Sequence, residues 1–69
     1  TFTIPEGSPV VGQRVVEIDL PGSARLYAHG RRKEPMTIPM PRTEVRPGDR
    51  VALIAERSAL DEVERILKG

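Results

Sequence analysis

The sequence predicts a small α+β domain: an antiparallel sheet of about four strands with two helices on one face, in the order β-α-β-β-β-α. Three observations carry this expectation. Residues of strand type alternate at Thr1–Ile4 and Ala24–His29, and Val51–Ala55 is a short apolar run. Turn clusters at Pro5-Glu6-Gly7, Leu20-Pro21-Gly22 and Arg46-Pro47-Gly48-Asp49 separate the segments. The connections between the middle strands are also too short for parallel crossovers, so the strands must run antiparallel.

Thr1-Phe2-Thr3-Ile4 has a β-branched residue or Phe at every position and stops at Pro5, which predicts a short first strand. Ser8-Pro9 resembles a helix N-cap followed by a first-turn proline. Val11, Val15 and Ile18 then fall at helical spacing, and a helix ending before Leu20-Pro21-Gly22 is expected. Val16 and Gly12 oppose it through β-branching and backbone entropy. In the next segment, Ala24, Leu26 and Ala28 alternate with Arg25, Tyr27 and His29, so the second strand should turn its alanines and leucine inward and His29 toward water.

A third strand is expected at Met36–Ile38, bounded by Pro35, Pro39 and Pro41 and therefore at a sheet edge open to another chain. Arg46-Pro47-Gly48-Asp49 has proline preset for the second turn position and glycine free for positive φ in the third. Val51–Ala55 follows as the most apolar strand, hence the central one. Ser58 and Asp61 suggest a shortened capping box opening a last helix, with Leu60, Val63 and Leu67 on one face and Ile66 beside them.

Sixty-nine residues make one domain, 1–69, with a thin core, and without cysteine neither a disulfide nor a Cys-based zinc site can reinforce it. Association with another copy is the remaining means of reinforcement. The chain opens on a strand-like segment without an initiator Met, as a piece of a longer protein would. Eleven Lys and Arg against ten Asp and Glu give a net charge of +1, interspersed in sign, and Phe2 and Tyr27 are the aromatic residues. That composition argues against a nucleic-acid module. The longest apolar stretch is far short of the roughly 20 residues of a membrane span, so no direct insertion is expected, and no signal peptide is visible. A cytoplasmic domain fits.

Catalytic constellations are missing. One His, no Cys and no clustered carboxylates leave no metal set and no Cys/His pair. Ser8, Ser23 and Ser58 sit at turn or cap positions without a glycine elbow, and Gly7 and Gly12 lack phosphate-cradle spacing. The chain is not expected to be an enzyme. Its concentrated positive charge is Arg31-Arg32-Lys33, with His29 just ahead. Surface charge is most often solvated, so the plain reading is a hydrated hairpin tip; the alternative is an anion pocket of guanidinium forks. His29 reads as a strand-end residue on the wet face rather than a metal ligand or pH sensor, and Met36 and Met40, with Ile38 between them, read as part of the core rather than as an adaptable apolar contact surface.

Ile4-Pro5-Glu6-Gly7-Ser8-Pro9, Val11-Gly12-Gln13, Glu17-Ile18-Asp19-Leu20-Pro21 and Arg46-Pro47-Gly48-Asp49-Arg50-Val51 occur in an order that resembles the TrkA C-terminal domain. That module is also called the C-lobe of regulators of potassium conductance. The resemblance runs from Thr1 to Leu67. It implies a homodimer that senses a small ligand and regulates a membrane potassium or cation transporter or channel subunit, at the inner face of the membrane. The ligand it implies is cyclic di-AMP or another small anion, held in a dimer cleft. By spacing from Pro39, the resemblance assigns that cleft to Arg32, Ile38 and Pro39, with Arg31 and His29 beside them. The chain departs from the family pattern at His29-Gly30, where members stay apolar, and at Glu34-Pro35, where a turn glycine is common. Two other readings stand beside ligand sensing: a pure dimerisation or assembly module, and an interaction domain that adds a partner strand at the Met36–Ile38 edge.

Overall fold

Val51 and its neighbours are apolar on both faces of their strand, and this strand lies at the centre of the sheet. The computed structural model describes Thr1–Gly69 and contains β1 (Phe2–Thr3), β2 (Arg25–Gly30), β3 (Arg50–Ile54) and α1 (Leu60–Lys68). The order across the sheet is β1-β3-β2, antiparallel throughout. Phe2 and His29 both oppose Val51, one on each side. Ile4, Val10, Ala24, Val45, Val51, Val63 and Leu67 form the core, which joins Val51 of β3 to Val63 and Leu67 of α1.

The sheet has three strands rather than about four. Met36–Ile38 is reduced to a single bridge, in which Thr37 and His29 exchange both backbone bonds at 2.9 and 2.8 Å. Pro35, Pro39 and Pro41 have no N–H to extend that ladder, so it stops after one pair. Ile38 is consequently 80% exposed instead of contributing to the core, and Met40 is exposed with it.

One α-helix is present rather than two. The expected first helix is a series of turns followed by one 3₁₀ turn at Val15–Glu17. Gly12 takes φ +90°, which breaks a right-handed helix. The backbone then bonds outward: Gly12 N–H donates to Val45 O, Val15 N–H to Thr43 O and Val16 N–H to Pro41 O, at 2.9 to 3.0 Å. The apolar spacing still describes burial correctly, because Val10 is in the core and Val11, Val15 and Ile18 pack against it.

Ser8 is not a helix cap. Its hydroxyl donates to Leu67 O at 2.5 Å and accepts from Val10 N–H at 3.2 Å, tying the first turn to the end of α1. Ser58 is not one either. It lies inside a 3₁₀ turn at Arg57–Ala59, and α1 starts from Ala59 without a side-chain cap. Val63 and Leu67 are fully buried and Ile66 partly so, whereas Leu60, one turn earlier, stays in water. Gly69, at φ +94°, closes the helix with its N–H on Arg65 O. No helix is long and apolar enough to cross a membrane.

Candidate functional site: the arginine tip and the outer sheet face

One extra residue in β2 determines where the site residues go. Leu26 opposes Leu53 and Ala28 opposes Ala52, so Tyr27 is bulged out of the ladder. A shift of one residue exchanges the two faces of a strand. Without the bulge, His29 would fall opposite Arg50 and point to water, as its alternation predicts. With it, His29 opposes Val51, turns inward and is only 7% exposed.

The partner waiting there is Asp49, the last residue of the Pro-Gly turn, 1% exposed. A buried carboxylate must have its charge compensated, and this one accepts three hydrogen bonds at Oδ2. Arg46 N–H donates at 3.0 Å and His29 Nε2 at 2.8 Å, and Arg31 Nη1 completes the set as an ion pair. Because a carboxylate only accepts, Nε2 is the protonated nitrogen in its bond with His29. Arg31 Nη1 also donates to Glu44 O at 3.1 Å.

The tip from Arg31 to Glu34 is therefore not simply hydrated. Arg31 fastens it to the turn, and Arg50 Nη2 donates to Glu34 O at 2.6 Å from β3. Arg32 behaves differently. Its guanidinium lies over Gly48 and takes part in none of the ion pairs. A Cβ at Gly48 would stand 2.8 Å from Arg32 Nε, and Gly48 has φ +86°. Gly48→Ala should thus cost about 1 to 2 kcal/mol of stability from backbone strain alone. It should also move the guanidinium, checked by urea unfolding together with the NMR Nε–Hε resonance of Arg32.

The sheet's second face is only partly covered. Ala28 and Ala52 oppose each other there, half-buried and buried, with Arg25 and Arg50 on the same face, while Ile54 is 65% exposed beside them. Met36 and Ile38 flank the bridged Thr37 and so alternate onto this same face. Gly30 permits the crossing, since a Cβ there would lie 3.1 Å from Met36 Cα. Of the residues assigned from sequence, then, His29 and Arg31 meet at Asp49 and Arg32 lies over Gly48 beside them. Ile38 and Pro39 lie beyond the His29–Thr37 bridge. In the sequence Asp49 is only the last residue of a turn, and its burial has no signal there beyond that turn.

With this arrangement in place, the whole chain can be set against known families. The family model described as the TrkA-C domain matches residues 1–68. The chain belongs to the TrkA-C domain family. That family is associated with the regulation of potassium transport. No curated protein matches the chain.

Proposed function

We propose that this TrkA-C domain is a cytoplasmic regulatory module of a potassium transporter or channel. Two copies would associate through the exposed Ile54 and Ile38 side of their sheets and hold a small anionic ligand such as cyclic di-AMP. The observation that carries the reading is the exposure of Ile54 and Ile38, 65% and 80%, on the sheet face away from the core. Exposed apolar side chains grouped on one face mark an interaction surface, and a two-fold copy supplies one that is apolar in the same places. Arg32 supplies the charge, since a guanidinium fork matches a phosphate and retains its charge at physiological pH. The reading assigns the ligand to the cleft between copies, with Ile38 and Pro39 as its apolar wall. Binding regulates only so far as the ligand prefers one dimer arrangement over another.

Ile54→Asp tests the face. Because Ile54 is exposed, the change should alter folding stability by less than about 0.5 kcal/mol while shifting a dimer toward monomer in light scattering over a concentration series. A monomeric parent protein would end the dimer reading. Arg32→Ala tests the ligand: the rise in melting temperature caused by cyclic di-AMP should disappear while the dimer persists. A second reading, assembly without a ligand, draws on Arg31 and Arg50 being engaged internally. It predicts a dimer whose melting temperature is the same with and without the nucleotide.

A further inference from the structure

We propose that Asp49 sets the charge of the anion site: it withdraws Arg31 from ligands and leaves Arg32, so that the loop offers one unpaired guanidinium per copy. The consequence is a bias toward a singly charged phosphodiester and against the second charge of a terminal phosphate. The inference rests on the reading of the arginine tip as an anion site, and it concerns a residue that touches no ligand.

Arg31 and Arg32 are adjacent on one short loop, yet their guanidinium groups have different environments. Arg31 is bound on two sides, by Asp49 Oδ2 and by Glu44 O, and its side chain is 31% exposed against 2% for that of Asp49. The exposed flank of Arg31 is open to an anion, but its charge is already balanced. Recruiting Arg31 to a phosphate would leave the Asp49 carboxylate buried with only His29 and one backbone N–H. Separating a buried pair in this way is strongly unfavourable, because the remaining charge cannot be rehydrated. Arg32 has no such tie. Its guanidinium rests on Gly48, one residue before the carboxylate, and no acidic side chain pairs with it.

His29 strengthens the arrangement. It donates to the same Oδ2 from the core side, so Asp49 is fixed from behind while Arg31 closes it from the front. Arg46 contributes its backbone N–H to Asp49, and its side chain is exposed, as is Lys33. These two flexible cations add a general field that favours any more highly charged anion. The field is present in wild type and variants alike, so a comparison of ratios isolates Asp49.

The probes are cyclic di-AMP, with two phosphodiester monoanions, and linear pApA, which has the same two adenosines and a terminal phosphate of about −1.5 to −2. Calorimetry at fixed ionic strength on the full chain gives the ratio of the two affinities. Asp49→Asn retains an acceptor for Arg46 N–H and removes the charge that holds Arg31. It is expected to move the ratio about tenfold toward pApA, the effect of one additional charge-assisted contact, and Arg31→Gln in the same chain should reverse that move. In the wild-type background, Arg31→Gln should leave the ratio within about twofold, whereas Arg32→Gln should weaken both probes at least about tenfold. This last pair decides the matter even if Asp49→Asn does not fold.

Loss of cyclic di-AMP binding in Arg31→Gln as large as in Arg32→Gln would overturn the inference while leaving the anion site standing. A folded Asp49→Asn with an unchanged ratio would do the same. Failure of the wild-type chain to bind either probe would remove the anion site itself, and this inference with it.

Discussion

Asp49→Ala is expected to lower the free energy of unfolding by about 3 kcal/mol, read as a fall in the urea midpoint at unchanged m-value. The loss has two parts. Three donors converge on Asp49 Oδ2, and the substitution leaves the buried His29 Nε2 and the partly buried Arg46 N–H without their acceptor. Arg31 loses its counter-charge too, though its side chain is partly exposed and water compensates some of that loss. A domain of this length is stable by roughly 3 to 10 kcal/mol, so the variant should be close to unfolding at 37 °C. A double-mutant cycle of Asp49→Ala with His29→Ala separates the parts. A coupling energy of at least about 0.5 kcal/mol is expected for residues that share a hydrogen bond, and additive losses would mean that the His29 bond contributes nothing.

Leu67→Ala should cost about 3 kcal/mol, within the 2 to 5 typical of a buried leucine. Leu67 is fully buried among Ile4, Val10, Val51 and Val63, and a thin core cannot collapse around the space that it vacates. Its backbone carbonyl also accepts the Ser8 hydroxyl, so loosening this turn of α1 loosens the first turn of the chain. Leu60→Ala is the internal control. Leu60 occupies the same stripe in sequence but is exposed, and its substitution should cost less than about 1 kcal/mol. Equal losses at 60 and 67 in thermal or urea unfolding would contradict the packing described.

The two errors about secondary structure have one origin. At Val11–Ile18 the spacing of apolar residues indicated which side chains are buried, and they are. It could not indicate where the backbone hydrogen bonds go, because the acceptors lie some 30 residues away at Pro41–Val45. The Met36–Ile38 segment illustrates the reverse case. Its prolines marked it as an edge, and it does lie at the edge of β2, but those same prolines limit it to one bridged residue. The candidate site was partly legible for a similar reason. Arg32 could be selected by resemblance, whereas the separation of Arg31 from Arg32 depends on where a carboxylate 17 to 18 residues further on becomes buried.

The amino-acid sequence by itself determined the family, the antiparallel α+β class, the central place of Val51–Ile54, the turn at Arg46–Asp49 and the final amphipathic helix. Each of these follows from local chemistry: a proline that fixes φ, a glycine free to reverse the chain, and apolar side chains at a period of two or of 3.6. Only the tertiary structure decided that Tyr27 bulges, that His29 therefore turns inward onto Asp49, and that Ile54 and Ile38 stay exposed on the face away from the core. A bulge inserts one residue and exchanges inside for outside over everything that follows in the strand. Its position is set by pairing with β3 across some 20 residues of intervening chain, a long-range register that the alternation within β2 does not contain.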